Sequence, residues 1–385
     1  MSLTELWKNS REQFENKQVQ QIIAFAGEGK LRDESIAASE FREFLSHISS
    51  DFLCQYAENC LSNAFTDSGL ALQDIVNQVG KRLGFEVEDG RYRGSKNSIG
   101  NDGLWLFPSG HYVVIEVKTT DAYRIDSNTI ANYRKKLVAS QKISEENSSI
   151  LIVVGREDTG DLEAQIRGSR HAWDVRLISV DSLLRLMLLK EKVDDPQIIQ
   201  RICDILIPKE FTRLDIIVDI VFFTAEETIQ ETDVIDDIET VEATTEKTIP
   251  AAFHNACVEK FSIAKNTSFI KRSRNTFTTP DKTINVVCSV SKFHQKQSSF
   301  WFAFHPHQQE FLNKISEGYL LLGCGSPSIV LAIPYSDLKN WLDDLWTTED
   351  KDRMYWHIRI HKNGERLLLD RKQGLGKLDI SKYKI

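Results

Sequence analysis

The sequence is poor in the features that mark membrane, secreted and thiolate-metal proteins. No apolar run approaches the roughly 20 residues that a membrane-spanning helix needs, and residues 1–8 lack the apolar stretch of a secretion signal. The six cysteines show neither a CxxC pair nor the Cys/His spacing of a zinc site. We therefore expect a cytoplasmic protein with no membrane partner, whose thiols are reduced and mostly buried.

Basic residues are outnumbered by acidic ones, 48 to 56, which gives a formal net charge of −8. This excess argues against a protein that coats nucleic acid non-specifically, because neutralisation of phosphates drives such binding. Many acids lie in residues 225–246, which contain no base. Residues 225–250 are also rich in threonine and lack tyrosine and tryptophan, so we interpret them as an acidic linker.

The length of 385 residues and the 41% hydrophobic content indicate two or three globular domains. We predict a helical extension over 1–66, an α/β core over 67–224 that ends in a helical arm, and a separate α+β domain over 251–385. Hydrophobic spacing predicts one amphipathic helix over 6–23 and a second long helical stretch over 40–65. In the C-terminal domain it predicts a helix over 334–345 and a hairpin that turns at Asn363-Gly364.

The most informative stretch is a predicted β-hairpin formed by residues 102–107 and 111–118. The segment Pro108-Ser109-Gly110 between the two runs is a turn signal. Folding the hairpin about Ser109 places Asp102 opposite Glu116, with Cβ atoms about 4.5–5.5 Å apart. Two carboxylates at that separation repel each other unless a cation lies between them.

Lys118 lies two residues beyond Glu116 and therefore projects from the same face of its strand. Carboxylate oxygens of Asp102 and Glu116, with the carbonyl of Val117 as a third ligand, suit Mg²⁺, and Mn²⁺ as a substitute. The ammonium can orient a water molecule or stabilise charge at a phosphorus atom. We therefore predict Asp102, Glu116 and Lys118 as catalytic residues. The alternative is a structural ion network, since Glu–Lys pairs are common on exposed sheets.

Asp102, followed by Glu116-Val117-Lys118 and Thr119-Thr120, resembles the motif of the PD-(D/E)XK nuclease superfamily, which includes restriction endonucleases, Mrr-like enzymes and Holliday-junction resolvases. The resemblance covers roughly residues 68–185, about a third of the chain, and departs from the motif where Gly100-Asn101 replaces the proline. It implies a three-layer α/β/α restriction-endonuclease-like core that opens with a helix, here Leu70–Leu83. Superfamily members often carry an additional acid near the metal on that helix. Asp74 matches it, and the alternative is a solvated helix acid.

Several basic residues are candidates for contact with nucleic acid. Arg167 and Arg170 flank Gly168 and predict either a site for backbone phosphate or a helix end with solvated arginines. Basic and aromatic residues interleave in the C-terminal domain, which is typical either of a nucleic-acid-binding surface or of an aromatic core with ordinary surface charge. The predicted contacts are Arg124, Arg167, Arg170, Lys271, Arg272 and Arg274.

Together these features predict a Mg²⁺-dependent DNA endonuclease of restriction or anti-phage defence, with RNA left open as a substrate. One active site cuts one strand, so cleavage of both strands would require a homodimer or two successive nicks. A first alternative is a nuclease effector that a ligand or partner activates through the C-terminal domain. A second is a nucleic-acid-binding protein without catalysis.

Overall fold

A computed structural model describes residues 2–14, 16–63, 65–93, 99–119, 127–155, 160–208, 249–294, 298–350, 353–372 and 374–385. The chain divides into two compact units, residues 1–193 with 197–225, and residues 194–196 with 226–385. In the described part of the chain, helices together with two mixed sheets and one antiparallel sheet confirm the predicted α/β class. Arg124, the predicted linker apart from its last two residues, and the helical arm beyond residue 208 lie outside the described residues. No helix in the described ranges is both long and apolar enough to cross a membrane.

The first unit begins with four helices where two long ones were predicted. They are α1 Leu3–Asn9, α2 Val19–Phe25, α3 Ile36–His47 and α4 Ser50–Ser62. The prediction of one helix over 6–23 was therefore wrong, whereas the long helical stretch predicted over 40–65 is divided between α3 and α4. The second break occurs because Ser49 caps α4, accepting a hydrogen bond of 3.3 Å from the Phe52 N–H. Buried Arg82 donates to the carbonyls of Leu45 and Ile48 and so satisfies the end of α3.

A mixed five-stranded sheet and the helices that connect and flank its strands follow. In chain order these elements are α5 Ser68–Leu83, β1 Glu86–Asp89, β2 Gly103–Leu106, β3 Tyr112–Lys118, α6 Ser127–Ala139, β4 Ser148–Val154, α7 Gly160–Arg167, β5 Val175–Ser179, α8 Val180–Lys190 and α9 Pro196–Asp204. The strand order is β1-β2-β3-β4-β5, with antiparallel pairing up to β3 and parallel pairing beyond it. Helix α5 ends at Gly84 in the left-handed conformation, with φ of 104°, as the sequence predicted.

Helices cover both faces of this sheet. Strand β4 is buried along its whole length, as its continuous apolar run predicted. Its residues Leu151 and Val153 belong to a core shared with α1–α5 and α8. Residues Ile150 and Ile152 face the other way and pack with side chains of α6 and α7. The two cores bury the two faces of the sheet separately, so charge at its end stands out against an apolar surrounding.

The second unit contains two sheets. Its elements are α10 Ile249–Lys265, β6 Ile270–Lys271, β7 Thr276–Thr278, β8 Ile284–Ser291, β9 Ser299–Phe304, α11 Pro306–Asn313, β10 Glu317–Cys324, β11 Val330–Pro334, α12 Tyr335–Leu338, β12 Thr347–Asp350, β13 Arg353–Asn363, β14 Arg366–Leu369 and β15 Leu378–Asp379. One sheet has the order β11-β10-β8-β7-β6, and the other has the order β12-β13-β14-β15 with β9 also paired to β13. Apolar side chains of both sheets share one core, and α10 packs on the opposite face of the first sheet.

Two local predictions in this unit differ in outcome. The predicted hairpin forms, but Asn363 pairs with Arg366, so the two turn residues are Gly364 and Glu365 and not Asn363 and Gly364. The helix predicted over 334–345 was wrong, because it stops after α12. The side chain of Asn340 donates to the carbonyl of Ser336 at 3.0 Å and takes the acceptor that a continuing α-helix would use.

Candidate active site

The predicted hairpin has the predicted register. Gly103 pairs with Ile115 and Trp105 with Val113 along β2 and β3. The Asp102 N–H donates to the Ile115 carbonyl at 3.0 Å, which continues the same ladder by one residue. Asp102 therefore lies opposite Glu116 at the carboxyl end of β3.

The backbone of Asp102 is held by three hydrogen-bond donors. Its carbonyl accepts from the side-chain amides of Gln73, at 3.0 Å, and Asn77, at 2.9 Å, both on α5. The Gly90 N–H, just after β1, donates to the same carbonyl at 3.1 Å. A Cβ at Gly90 would lie 2.2 Å from the carbonyl oxygen of Asn101, so only glycine allows this approach. The first carboxylate of the site is thus positioned by α5 and the end of β1.

Asn77 also connects the site to the core of the hairpin. Its side-chain oxygen accepts from the indole N–H of Trp105 at 3.0 Å, while its amide nitrogen serves Asp102. A Cβ at Gly103 would lie 2.2 Å from that same oxygen. Both polar atoms of a fully buried amide are therefore satisfied, and the close packing of α5 on the hairpin requires glycine at position 103.

The two carboxylates and the lysine have unequal surroundings. Asp102 Oδ2 accepts from the Val117 N–H at 2.6 Å. Glu116 is 7% exposed, and its Oε1 forms an ion pair with the Lys118 ammonium. Its other oxygen, Oε2, is buried without a hydrogen-bond partner among the described residues. A buried acceptor without a donor is costly, so Glu116 has an unmet need for a hydrogen-bond donor or a cation.

Burial and charge shift the proton equilibria of this group. Burial, followed by the Glu116 charge, raises the pKa of Asp102 to about 7, although the Val117 N–H and Lys118 act in the opposite direction. Burial by itself would lower the pKa of Lys118, but Glu116 and Asp102 outweigh it and the pKa of Lys118 is raised. At neutral pH the lysine is therefore charged, while Asp102 is only partly ionised.

The group fits a hard divalent cation. Backbone N–H and C=O of one strand residue point to the same edge, so the Val117 carbonyl faces the edge at which its N–H reaches Asp102. The partnerless Oε2 of Glu116 supplies a further oxygen. Within the described ranges no group of three or more His, Cys, Asp or Glu side chains could hold a metal ion. This site would instead combine two carboxylates with one main-chain carbonyl, all of them ligands that Mg²⁺ accepts.

Asp74 has partners other than the two carboxylates. Its side chain is buried and accepts from Arg42 Nε at 2.9 Å and from the Tyr92 hydroxyl. The alternative of a solvated helix acid was therefore wrong. Burial raises the pKa of Asp74 to about 6 against the opposing effect of Arg42. A metal-binding role for Asp74 stays a prediction.

The predicted nucleic-acid contacts fall on both units. Arg167 at the end of α7 is 78% exposed in its side chain and pairs with Glu163 at 2.5 Å. Exposed Arg170 contacts His171 and Asn128, at 3.2 and 3.5 Å. Gly168 follows the end of α7, as predicted. In the second unit, half-buried side chains on and between β6 and β7 complete the described candidates: Lys271, Arg272 and Arg274.

Sequence reasoning missed the residues that hold Asp102 and Asp74 in place, Gln73, Asn77, Arg42 and Tyr92. Gln73 and Asn77 are one turn apart on α5 and suggest a solvent-facing stripe when read by periodicity. One signal was available, because Asp74 is the only charged residue between positions 70 and 80. A helix with so little charge on its polar side is typical of one buried all round.

Comparison with known proteins identifies no family for the chain. The sequence matches no model of a known protein family, and no curated protein matches it. The function is therefore inferred from the residues and geometry of the site.

Proposed function

We propose that this protein is a Mg²⁺-dependent DNA endonuclease of the PD-(D/E)XK type, acting in restriction or defence against phage. The observation that carries the proposal is the convergence of Asp102, Glu116 and Lys118 at the end of a buried hairpin. Helices on both faces of a mixed five-stranded sheet support a three-layer restriction-endonuclease-like core. Charged side chains at the end of such an apolar sheet are costly unless they are paired, bind a metal ion or take part in catalysis.

Each residue of the group has a distinct role. Asp102, Glu116 and the Val117 carbonyl would hold the metal, which when bound polarises a phosphate and lowers the pKa of a bound water. Gln73 and Asn77 keep the Asp102 backbone in position for this task. The Lys118 side chain is partly exposed and its charge is maintained, so its ammonium can orient the attacking water and stabilise the charge that develops on the phosphate.

A cleavage assay on plasmid DNA tests the proposal directly. Asp102→Ala and Glu116→Ala remove metal ligands, and we expect each to lower Mg²⁺-dependent cleavage by about a hundredfold or more. Lys118→Ala should reduce turnover far more than DNA affinity, because its charge acts at the transition state. Lys118→Arg should not restore full activity, since a planar guanidinium cannot replace a point charge.

A matched control comes from the neighbouring strand. Asp89 on β1 pairs with Lys81 at 2.8 Å and, among the described residues, forms no hydrogen bond or ion pair with Asp102, Glu116 or Lys118. Asp89→Ala should therefore cleave at about the wild-type rate. Metal-dependent cleavage at the wild-type rate by both Asp102→Ala and Glu116→Ala would refute the assignment.

Two rival functions each have one supporting observation. The ion pair between Glu116 and Lys118 is also what a structural network without catalysis would form. Absence of cleavage by the wild-type protein under all metal and substrate conditions, including RNA, would favour that rival. The second unit has its own compact cores, which suits a domain that senses a ligand or partner. Cleavage only after such a molecule is added would identify an activated effector.

A further inference from the structure

The second unit carries a row of rings on the outer face of its second sheet. Trp301 on β9 and His305 just after it lie beside Tyr355 and His357 on β13, and we call these four residues the ring row. Ring centroids are 5.8 Å apart for Trp301 and His357, 5.0 Å for Tyr355 and His357, and 5.5 Å for His305 and Tyr355. All four side chains are half-buried, whereas the alternating residue Ile358 is buried in the core. The row is therefore a continuous aromatic surface that solvent reaches.

Hydrogen bonds hold two of these rings in one arrangement. The Trp301 indole N–H donates to His357 Nδ1 at 3.0 Å. An indole nitrogen can only donate, so Nδ1 accepts and neutral His357 carries its proton on Nε2. That nitrogen donates to the Thr348 hydroxyl at 2.6 Å. The rings are positioned before any ligand binds, which lowers the entropy cost of binding.

Trp346 extends the ring row toward the edge of the sheet. The His357 N–H donates to the Trp346 carbonyl at 2.8 Å, one residue beyond the paired Thr347 and Trp356. Directly opposite residues project from the same face of a sheet, so Trp346 lies on the same face as His357. It is 48% exposed, which is unusual for so large an apolar side chain.

A positive charge lies at the other side of the row. Arg359 is opposite Trp301 in the pairing of β13 with β9 and projects from the same face as His357. Its Nε is buried, and its Nη1 is 3.9 Å from Asp370 Oδ2, while the side chain as a whole is 38% exposed. The two Nη atoms carry four N–H donors, so donors remain for an anion beside the rings.

We infer that the ring row, with Trp346 and Arg359, binds a segment of single-stranded DNA, whose bases stack on the rings and whose phosphate pairs with Arg359. Stacking on aromatic side chains is the usual means of binding unpaired bases without sequence preference. A duplex does not fit this surface, because its base faces are already stacked. The choice of DNA rests on the proposed function, since DNA is the polymer that the active site would cut.

Binding can be measured without cleavage. Full-length protein with Lys118→Ala, in EDTA, would be titrated into a fluorescently labelled DNA strand of about 12 nucleotides, within the range one such surface covers. The comparison ligands are the same strand paired with its complement, an abasic strand of equal length, and RNA of the same sequence. We expect the abasic strand and the duplex to bind about tenfold more weakly or worse, because each lost stacking contact has at least about that effect.

Variants then place the site on the ring row. Trp301→Ala and Trp346→Ala should each weaken binding of the single strand by about tenfold, while Trp301→Phe, which keeps a ring, should bind more tightly than Trp301→Ala. Trp346 is exposed at the sheet edge, so its removal tests the surface even if Trp301→Ala does not fold. The matched control is Trp173→Ala, which removes a tryptophan that is 75% exposed in the first unit and should leave affinity unchanged. Arg359→Gln should make the slope of log affinity against log salt concentration shallower by about one, which corresponds to the loss of one phosphate contact.

Several results would overturn the inference. They are absence of binding to the single strand, equal binding of the abasic strand, tighter binding of RNA, or wild-type affinity in both Trp301→Ala and Trp346→Ala. A wild-type protein that cleaves DNA but fails these binding tests would refute the inference alone. A protein that binds single strands through the ring row but never cleaves would refute the proposed function alone.

Discussion

Replacing Asp102 with asparagine should stabilise the protein in the absence of metal. Asp102 and Glu116 are opposite each other at a buried sheet end, and burial and Glu116 together raise the pKa of Asp102 to about 7. The folded protein therefore resists ionisation of Asp102 more than the unfolded chain does. Asparagine has nearly the same shape, carries no charge, and keeps an oxygen for the Val117 N–H.

The size of the effect follows from the shift in pKa. The rise from 3.8 to about 7 is about three pKa units, and one unit corresponds to about 1.4 kcal/mol, so the upper limit is about 4 kcal/mol. The stronger hydrogen bond that the Val117 N–H makes to a charged carboxylate is already contained in this net shift. Asp102 is only half-buried, so screening by solvent reduces the gain below the upper limit. We expect a net increase of about 1–3 kcal/mol in the free energy of unfolding above pH 7.

The pH dependence has a defined sign. Below pH 3.8 the carboxyl group is protonated in both states, so this ionisation gives the variant no advantage. Between pH 3.8 and about 7 the folded protein binds more protons than the unfolded chain, so the wild type loses stability as pH rises. The difference in the free energy of unfolding between Asp102→Asn and the wild type, here called the gap, should widen through this range and stay constant above it.

Thermal unfolding in EDTA at a series of pH values measures the gap. For a unit of this size, about 1 kcal/mol shifts Tm by about 2–4 °C. Saturating Mg²⁺ should stabilise the wild type more than the variant and so reduce the difference in Tm. Asp89→Asn removes a carboxylate that has its own lysine partner and should not stabilise the protein. A gap that is absent in EDTA, or that narrows as pH rises toward 7, would refute the reasoning about the acid pair.

Three further predictions concern other polar groups of the two units. Asn77→Ala leaves the Trp105 N–H without its acceptor and removes one donor to Asp102, and chemical denaturation should show a loss of about 2–4 kcal/mol together with slower DNA cleavage. Arg82→Met leaves the carbonyls that end α3 unsatisfied, and the same measurement should show a loss of about 3–5 kcal/mol, whereas exposed Arg185→Met should change stability by less than about 1 kcal/mol. Desolvation of the half-buried ring, followed by the charges of Arg274 and Lys271, lowers the pKa of His254 to about 4, so the second unit should lose stability as pH falls from 6.5 toward 4. His254→Gln should flatten that part of the unfolding profile, and an unchanged profile would contradict the reasoning.

Some features could be predicted because their causes are local in sequence. The turn at Pro108-Ser109-Gly110, where Gly110 has φ of 82°, determines which residues of β2 and β3 pair. Register in turn decides which side chains share a face, so Asp102 and Glu116 could be placed opposite each other from the sequence. The same holds for the end of α5 at Gly84. The second hairpin was also predicted from a local signal, but its turn lies one residue later than expected, with Gly364 as the first turn residue.

The break between α3 and α4 was not predicted, because the apolar spacing continues across positions 40–65 and hides the local cap at Ser49. The residue that satisfies the end of α3 could also not be predicted, because Arg82 is 37 residues from Leu45 in the sequence. Burial of the polar side of α5 could not be predicted either, because periodicity shows which face is apolar and not what covers the other. Asp74 therefore resembled a solvated acid, although Arg42 and Tyr92 enclose it.

The sequence by itself determined the hairpin register, the chemical types of the three candidate active-site residues and the α/β class. Only the tertiary structure decided that Gln73 and Asn77 hold Asp102, that Glu116 has a partnerless oxygen, and that rings from β9 and β13 form one surface. The physical reason is that turns and strand alternation depend on neighbours in the chain. Satisfaction of a buried polar group, or assembly of a surface from separate strands, depends on residues that only folding brings together.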